Sequence, residues 1–120
     1  MKTLVIGGIK SGKRLRQNCT SDNIVIIDCL TLWLTNLLIR DKEDQLRDEI
    51  SILHSALNSA AGEVVMVSNE TSMGIIPMGE LSRKFCDEAG LLHQQISACC
   101  DNVVLTVAGL PLVIKGKLNL

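Results

Sequence analysis

The stretch Gly7-Gly-Ile-Lys-Ser-Gly-Lys13 carries the spacing G-x-x-x-x-G-K, which folds backbone around a phosphate group. Glycines let successive N–H groups turn toward one point with no Cβ in the way. A helix starting there adds the positive end of its dipole. Lys13 then supplies a point charge to the β- and γ-phosphates. Gly7, Gly8, Ser11, Gly12 and Lys13 are therefore the nucleotide-binding candidates. The motif next expects Ser or Thr, whose hydroxyl holds Mg²⁺, but the chain has Arg14.

Two further polar sets come after apolar runs. Asp28 closes Ile24-Val-Ile-Ile. A carboxylate there can hold Mg²⁺ directly or through water, or it can cap the helix that begins near Leu30. Ser68-Asn69-Glu70 come after Val64 to Val67. Asn69 and Glu70 either line a ligand crevice or satisfy the loop's own backbone. His54, off the apolar stripe of its helix, reads as a solvated residue. His93, beside Leu92, reads as partly buried and hydrogen-bonded. Arg83 and Lys84 read as a solvated face.

The elements that must position these residues alternate. Leu4–Ile6 is a short strand ended by glycine. Arg14 to Asn23 is polar, lacks an apolar stripe and ends in turn residues. Ile24 to Asp28 is a β-branched run of the kind found in buried parallel strands. Leu30 to Arg40 is a helix with Leu30, Trp33 or Leu34, Leu37 and Leu38 facing inward. Leu46, Ile50, Leu53 and Leu57 form an amphipathic helical stripe, with Gly62 as its C-terminal cap. Val64 to Val67 is another buried strand, and Thr71 to Pro77 a loop. Glu80 to about Cys100 is a long helix with Leu81, Phe85, Leu92 and Ile96 inward, weakened at Gly90. Val103 to Val107 is a third buried strand. After a turn at Gly109-Leu-Pro111, Leu112 to Lys115 returns as an antiparallel edge. Strands alternating with helices predict an α/β fold, a mainly parallel sheet flanked by helices. In such sheets ligands sit at the carboxyl ends of the strands, so all three polar sets can meet at one nucleotide.

Composition narrows the function classes. At 120 residues, 47% of them hydrophobic, the chain suits one domain with a real core. Its net charge of −1 gives no electrostatic footprint for nucleic acid. The two aromatics, Trp33 and Phe85, offer no base-stacking platform. No apolar run reaches the ~18 residues of a membrane span, and Met1-Lys2 leads into a strand without a signal peptide. Five cysteines, an odd number with no C-x-x-C pair, suit a reduced, cytoplasmic protein.

Five motifs occur in one order: Gly7 to Lys13; Asp28-Cys-Leu-Thr-Leu-Trp-Leu-Thr-Asn-Leu-Leu38; Ser68-Asn-Glu-Thr-Ser-Met-Gly-Ile-Ile-Pro77; Arg83-Lys-Phe-Cys-Asp87 with Gly90; and Val107-Ala-Gly-Leu-Pro111. In this the chain resembles the bifunctional adenosylcobinamide kinase/adenosylcobinamide-phosphate guanylyltransferases of cobalamin biosynthesis. The resemblance implies a P-loop NTPase fold of RecA-like type and a homotrimer. It implies phosphorylation of adenosylcobinamide by ATP or GTP with Mg²⁺, then transfer of GMP from GTP through a guanylylated histidine, giving adenosyl-GDP-cobinamide. It places the motif residues Gly7, Gly8, Ser11, Gly12 and Lys13 on phosphates, Asp28 at nucleotide or metal, and Asn69 and Glu70 along the same crevice.

One segment departs from the family. After the motif lysine the family continues with Ser, a helix, a strand and the histidine nucleophile, and several dozen residues of that kind are absent here. Neither His54 nor His93 matches the nucleophile's position. In the second long helix the family has Asn where this chain has His93. Counted from Lys13, the ten residues Arg14 to Asn23 barely meet the ~10–12 that a parallel crossover needs. Leu4–Ile6 and Ile24–Ile27 are therefore not expected as comfortable neighbours. Residues 1–120 read as a single P-loop nucleotide-binding domain with a segment missing between Lys13 and Arg14. The alternative is a true deletion, leaving a non-catalytic or kinase-only remnant.

Overall fold

The computed structural model describes residues 2–6, 11–40, 43–71, 73–75 and 77–117. Their order is β1 (Lys2–Ile6), α1 (Ser11–Asn18), β2 (Ile24–Asp28), α2 (Leu30–Ile39), α3 (Glu43–Asn58), β3 (Glu63–Val67), α4 (Glu80–Cys99), β4 (Val103–Val107) and β5 (Leu110–Lys115). The chain is α/β. Strands β1, β2 and β3 form a parallel sheet in that order. Strands β4 and β5 form a separate antiparallel hairpin.

The direct pairing of β1 with β2 corrects the expectation that their connection is too short. The crossover runs from residue 7 to residue 23, long enough for two helical turns. The helix begins before Lys13 and continues through Arg14. It also corrects the reading of this stretch as lacking an apolar side: Leu15 is fully buried, and Cys19, four residues on, packs against the same core. Two residues at i and i+4 suffice to seat so short a helix. Asn23 Nδ2 donates to the Asn18 carbonyl at 2.8 Å and closes the helix end.

Val25 and Ile27 of β2 are fully buried, and with them lie Trp33, Leu34 and Leu37 of α2, Leu46 and Leu53 of α3, and Leu92 and Ile96 of α4. Helix α2 thus presents both Trp33 and Leu34 inward, because it is apolar on nearly every side. Arg47 on α3 donates to Glu88 on α4 at 2.6 Å, tying those helices together. None of the described helices is long and apolar enough to cross a membrane.

Several expectations change. Strand β3 is only half covered. Val64 and Met66 pack on the core beside their register partners Val25 and Ile27, while Val65 and Val67 keep 48% and 41% of their surface exposed. It is the last strand of its sheet, so composition overstated its burial. Gly62 does not cap α3, which ends at Asn58. It lies where β3 passes the Thr20–Asn23 turn, and a Cβ there would strike the carbonyl oxygens of Thr20 and Asn23. Leu81, in the first turn of α4, is 56% exposed rather than inward. Helix α4 continues unbroken through Gly90. Strand β4 is neither buried nor part of the parallel sheet. The hairpin turn sits at Ala108-Gly109, both at positive φ, so Pro111 belongs to β5, pairing with Thr106. Pro is tolerated there because a two-stranded ribbon has only edges.

Candidate functional site

Register places the candidates. Ile6 lies opposite Asp28, and Asp28 opposite Val67. The three parallel strands therefore end level, and the segments that succeed them leave from one sheet edge. After β1 come Gly7 and Gly8, which lie outside the described residues, and then α1, whose first three residues are Ser11, Gly12 and Lys13. After β2 comes α2, and after β3 come Ser68, Asn69 and Glu70. Two helix N-termini and two polar strand ends thus share the carboxyl edge of the sheet, where the backbone supplies free N–H groups and positive dipole ends.

Asp28 is exposed at this edge. The alternative of Asp28 as the cap of α2 does not hold. The cap position belongs to Cys29, in extended geometry and without a side-chain cap bond, and its carbonyl accepts the first helical bond from Trp33 N at 3.2 Å. Asp28 lies one residue too early for that role.

The loop after β3 is held by a chain of hydrogen bonds. The Asn69 backbone N–H donates to Thr31 Oγ1 at 2.9 Å. Thr31 Oγ1 lies 3.3 Å from Ser68 Oγ, and Ser68 Oγ lies 2.6 Å from His93 Nε2. These side chains come from the first turn of α2, the end of β3 and the middle of α4. Sequence reasoning did not single out Thr31, named Ser68 only as part of the polar set that ends a strand, and expected of His93 only a structural hydrogen bond. The signal that could have found them is positional. Thr31 sits just after one strand end, Ser68 is another, and an imidazole next to a buried Leu92 needs a polar partner. The other histidine, His54, is half-buried on α3, its Nδ1 3.2 Å from Asn58 Nδ2.

Beside the loop, α2 and α4 leave an apolar cleft of about 400 Å³ lined by Leu38, Ile39, Thr71, Pro77, Leu81 and Phe85, among others. Thr71 comes directly after Glu70, so cleft and strand edge adjoin. Among the described residues no three His, Cys, Asp or Glu side chains cluster to form a metal cage. Without such a cage, a carboxylate such as Asp28 suits Mg²⁺ shared with phosphate oxygens and water better than a protein-only site. The five cysteines are unpaired. Burial, then the neighbouring Cys99, raises the Cys100 thiol pKa above its ordinary value, which keeps that residue protonated and unreactive near neutrality.

A model of the family described as cobinamide kinase / cobinamide phosphate guanyltransferase matches residues 14–114. The match starts at the residue after Lys13. The bifunctional adenosylcobalamin biosynthesis protein CobP of Pseudomonas aeruginosa is 48% identical over 103 residues, which cover 86% of this chain and 60% of that protein. The CobU proteins of Salmonella typhimurium and Escherichia coli, bearing the same bifunctional description, are each 36% identical over 107 residues, covering 78% of this chain and 59% of theirs. The chain thus spans about 60% of the length of the curated relatives it matches.

Proposed function

The chain belongs to the cobinamide kinase / cobinamide phosphate guanyltransferase family, and we propose that it phosphorylates the aminopropanol hydroxyl of adenosylcobinamide with ATP or GTP. It then transfers GMP from GTP to the new phosphate, giving adenosyl-GDP-cobinamide and pyrophosphate. One observation carries the site: the register of β1, β2 and β3 sets the start of α1, Asp28 and Ser68-Asn69-Glu70 along a single edge.

The roles derive from charge and position. The backbone from Gly7 and Gly8 to Ser11 and Gly12 cradles phosphates in a P-loop, RecA-like arrangement, and Lys13 neutralises the β/γ pair. Asp28 fits as the carboxylate that holds Mg²⁺, which supplies charge neutralisation when bound. Asn69 and Glu70 line the opposite side. The acceptor hydroxyl attacks the γ-phosphorus and the nucleoside diphosphate leaves. Phosphoryl transfer of this kind needs positioning and charge more than covalent help from the protein. The apolar cleft between α2 and α4 receives the acceptor. The working unit is a cytoplasmic homotrimer.

GMP transfer requires a histidine nitrogen that attacks the α-phosphorus of GTP, releases pyrophosphate and passes GMP to the acceptor phosphate. Neither His54 nor His93 is assigned that step. Helix α1 runs unbroken through Lys13 and Arg14, so we place the nucleophile in sequence outside these 120 residues, which span about 60% of the relatives' length.

Two labels test the scheme. γ-Labelled triphosphate should mark adenosylcobinamide, and Lys13→Ala should abolish that transfer without lowering the melting temperature. A fully active Lys13→Ala variant would refute the phosphate-loop assignment. α-Labelled GTP should leave an acid-labile mark on a protein heavier than the 13.0 kDa of these 120 residues. Phosphorylation without that mark leaves only the kinase half.

A further inference from the structure

Directionality governs the hydrogen-bond chain at the end of β3. The Asn69 N–H can only donate, so Thr31 Oγ1 is an acceptor there. Thr31 still has a hydroxyl proton and a second lone pair for Ser68 Oγ, 3.3 Å away. Ser68 has one proton to give, and His93 Nε2 at 2.6 Å is its closest partner in this chain of contacts. If Nε2 is bare, Ser68 donates to it and Thr31 donates to Ser68. If Nε2 carries a proton, Ser68 accepts from it and turns its own proton to Thr31. In either case the imidazole sets the orientation of both hydroxyls, and through them the acceptor that holds the Asn69 backbone.

The contacts join three elements that share no sequence neighbourhood. His93 stands mid-way along α4, Ser68 comes directly after β3, and Thr31 lies in the first turn of α2. Residues Ser68, Thr31 and His93 are all half-buried, which strengthens such bonds relative to water. Asn69 itself is exposed at the strand edge. A backbone amide in an exposed loop is usually left to solvent, whereas here a buttress three side chains deep reaches it from the far helix.

We propose that His93 is a positioning residue: through Ser68 and Thr31 it fixes the Ser68-Asn69-Glu70 loop at the carboxyl edge of the sheet, in the geometry that the phosphorylated substrate meets. Its effect on turnover rests on the function proposed above, whereas its effect on the loop does not. His93 touches no substrate and takes no covalent part. Glutamine places an amide group where the imidazole has Nε2, so His93→Gln should preserve the buttress and His93→Leu should destroy it.

The test separates loop from reaction. In protein labelled with nitrogen-15 at histidine, Ser68→Ala should move the His93 Nε2 resonance and leave His54 unchanged. Amide exchange at Asn69 should rise about tenfold or more in His93→Leu and in the near-isosteric Thr31→Val, and return to the wild-type rate in His93→Gln. An Nε2 resonance indifferent to Ser68→Ala, or an Asn69 amide equally protected in Thr31→Val, overturns the proposal even if His93→Leu does not fold. With turnover as readout, His93→Leu should lose on the order of 10–100-fold in kcat at a nearly unchanged KM for the triphosphate, and His93→Gln should recover it. Normal turnover in His93→Leu sinks the positioning role and spares the kinase assignment. A wild-type protein that transfers no phosphate sinks the kinase assignment, and the exchange data then decide the buttress alone.

Discussion

Strand β2, Ile24-Val-Ile-Ile-Asp28, and strand β5, Leu110-Pro-Leu-Val-Ile-Lys115, draw on the same kinds of side chain. Val25 and Ile27 in β2 have no exposed surface, whereas Leu110 and Ile114 in β5 keep 71% and 63% of theirs. The difference is in what surrounds each strand. Strand β2 has β1 on one side, β3 on the other and the helical core against Val25 and Ile27. Among the described residues, strand β5 has β4 alone. Lys115 Nζ ties it to the end of α4, donating to the Ser97 and Ala98 carbonyls at 2.9 and 3.3 Å, and Lys117 N donates to Asn102 Oδ1 at 2.9 Å, closing the base of the hairpin. The β-branched run makes the strand in both places. The number of partners decides whether apolar side chains add stability.

The largest effects should therefore fall around β2. Trp33→Ala should cost about 3–5 kcal/mol and Leu53→Ala about 2–5, each opening a cavity where neighbours cannot collapse. Ile114→Ala should stay within about 0.5 kcal/mol, as exposed substitutions do. Urea unfolding of the three variants measures the contrast. Nucleotide affinity measured in parallel should not respond to Leu53→Ala. If Ile114→Ala matches Leu53→Ala, the hairpin has a covered face and the comparison is broken.

Next in size is Gly62→Ala. The Cβ would meet backbone carbonyls of Thr20 and Asn23, which cannot rotate away as a side chain can. A shift of β3 or of the α1–β2 turn should cost roughly 1–3 kcal/mol. Thermal melts will read it. Because β3 carries Ser68 to Glu70 at its end, the same shift should loosen that loop, so the variant probes how firmly the sheet edge is held.

Much of the packed region was readable from residue pattern. The boundaries of β2 match the run Ile24 to Asp28, and the stripe Leu46, Ile50, Leu53, Leu57 falls inside α3. Of these, Leu46 and Leu53 are fully inside, and Ile50 and Leu57 pack at the margin. What pattern could not supply was partnership. Nothing in Val103 to Val107 says that it leaves the parallel sheet, because burial depends on residues far away in sequence. The phosphate-loop spacing called for a helix at α1, but its apolar side escaped notice, since one leucine and one cysteine make a stripe too short to show as a period. At the candidate site, strand-end chemistry pointed to Asp28, Asn69 and Glu70 as residues, and the register supplies the shared edge. The Thr31–Ser68–His93 chain was invisible, since three hydrogen-bonding side chains separated by 37 and 25 residues leave no spacing signal.

A smaller effect tests the polar tether. Helix α4 has no basic residue in its last turn, and Lys115 from β5 supplies the missing cation to its terminal carbonyls. Lys115→Met should cost about 0.3–1 kcal/mol, the range for a charge at a helix end, and less in high salt. The comparison sharpens if the loss appears as faster amide exchange in β4 and β5 with the core unaffected.

The least effect, and the most local, belongs to the hairpin turn. Ala108 sits at φ 51 and Gly109 at φ 75, the left-handed pair that a two-residue hairpin requires. Glycine accepts that conformation freely, but alanine crowds its Cβ against the following carbonyl. Replacing Ala108 with Gly would relieve the strain while making the unfolded chain freer, so the two terms largely offset. Asparagine tolerates positive φ without glycine's entropic cost. Ala108→Asn should therefore stabilise the hairpin by roughly 0.5 kcal/mol. Slower exchange across β4 and β5 with an unchanged global melt is the expected result, because a ribbon that leans on no core can tighten without the rest of the molecule responding. A rise in the global melting temperature would instead show that the two regions unfold as one.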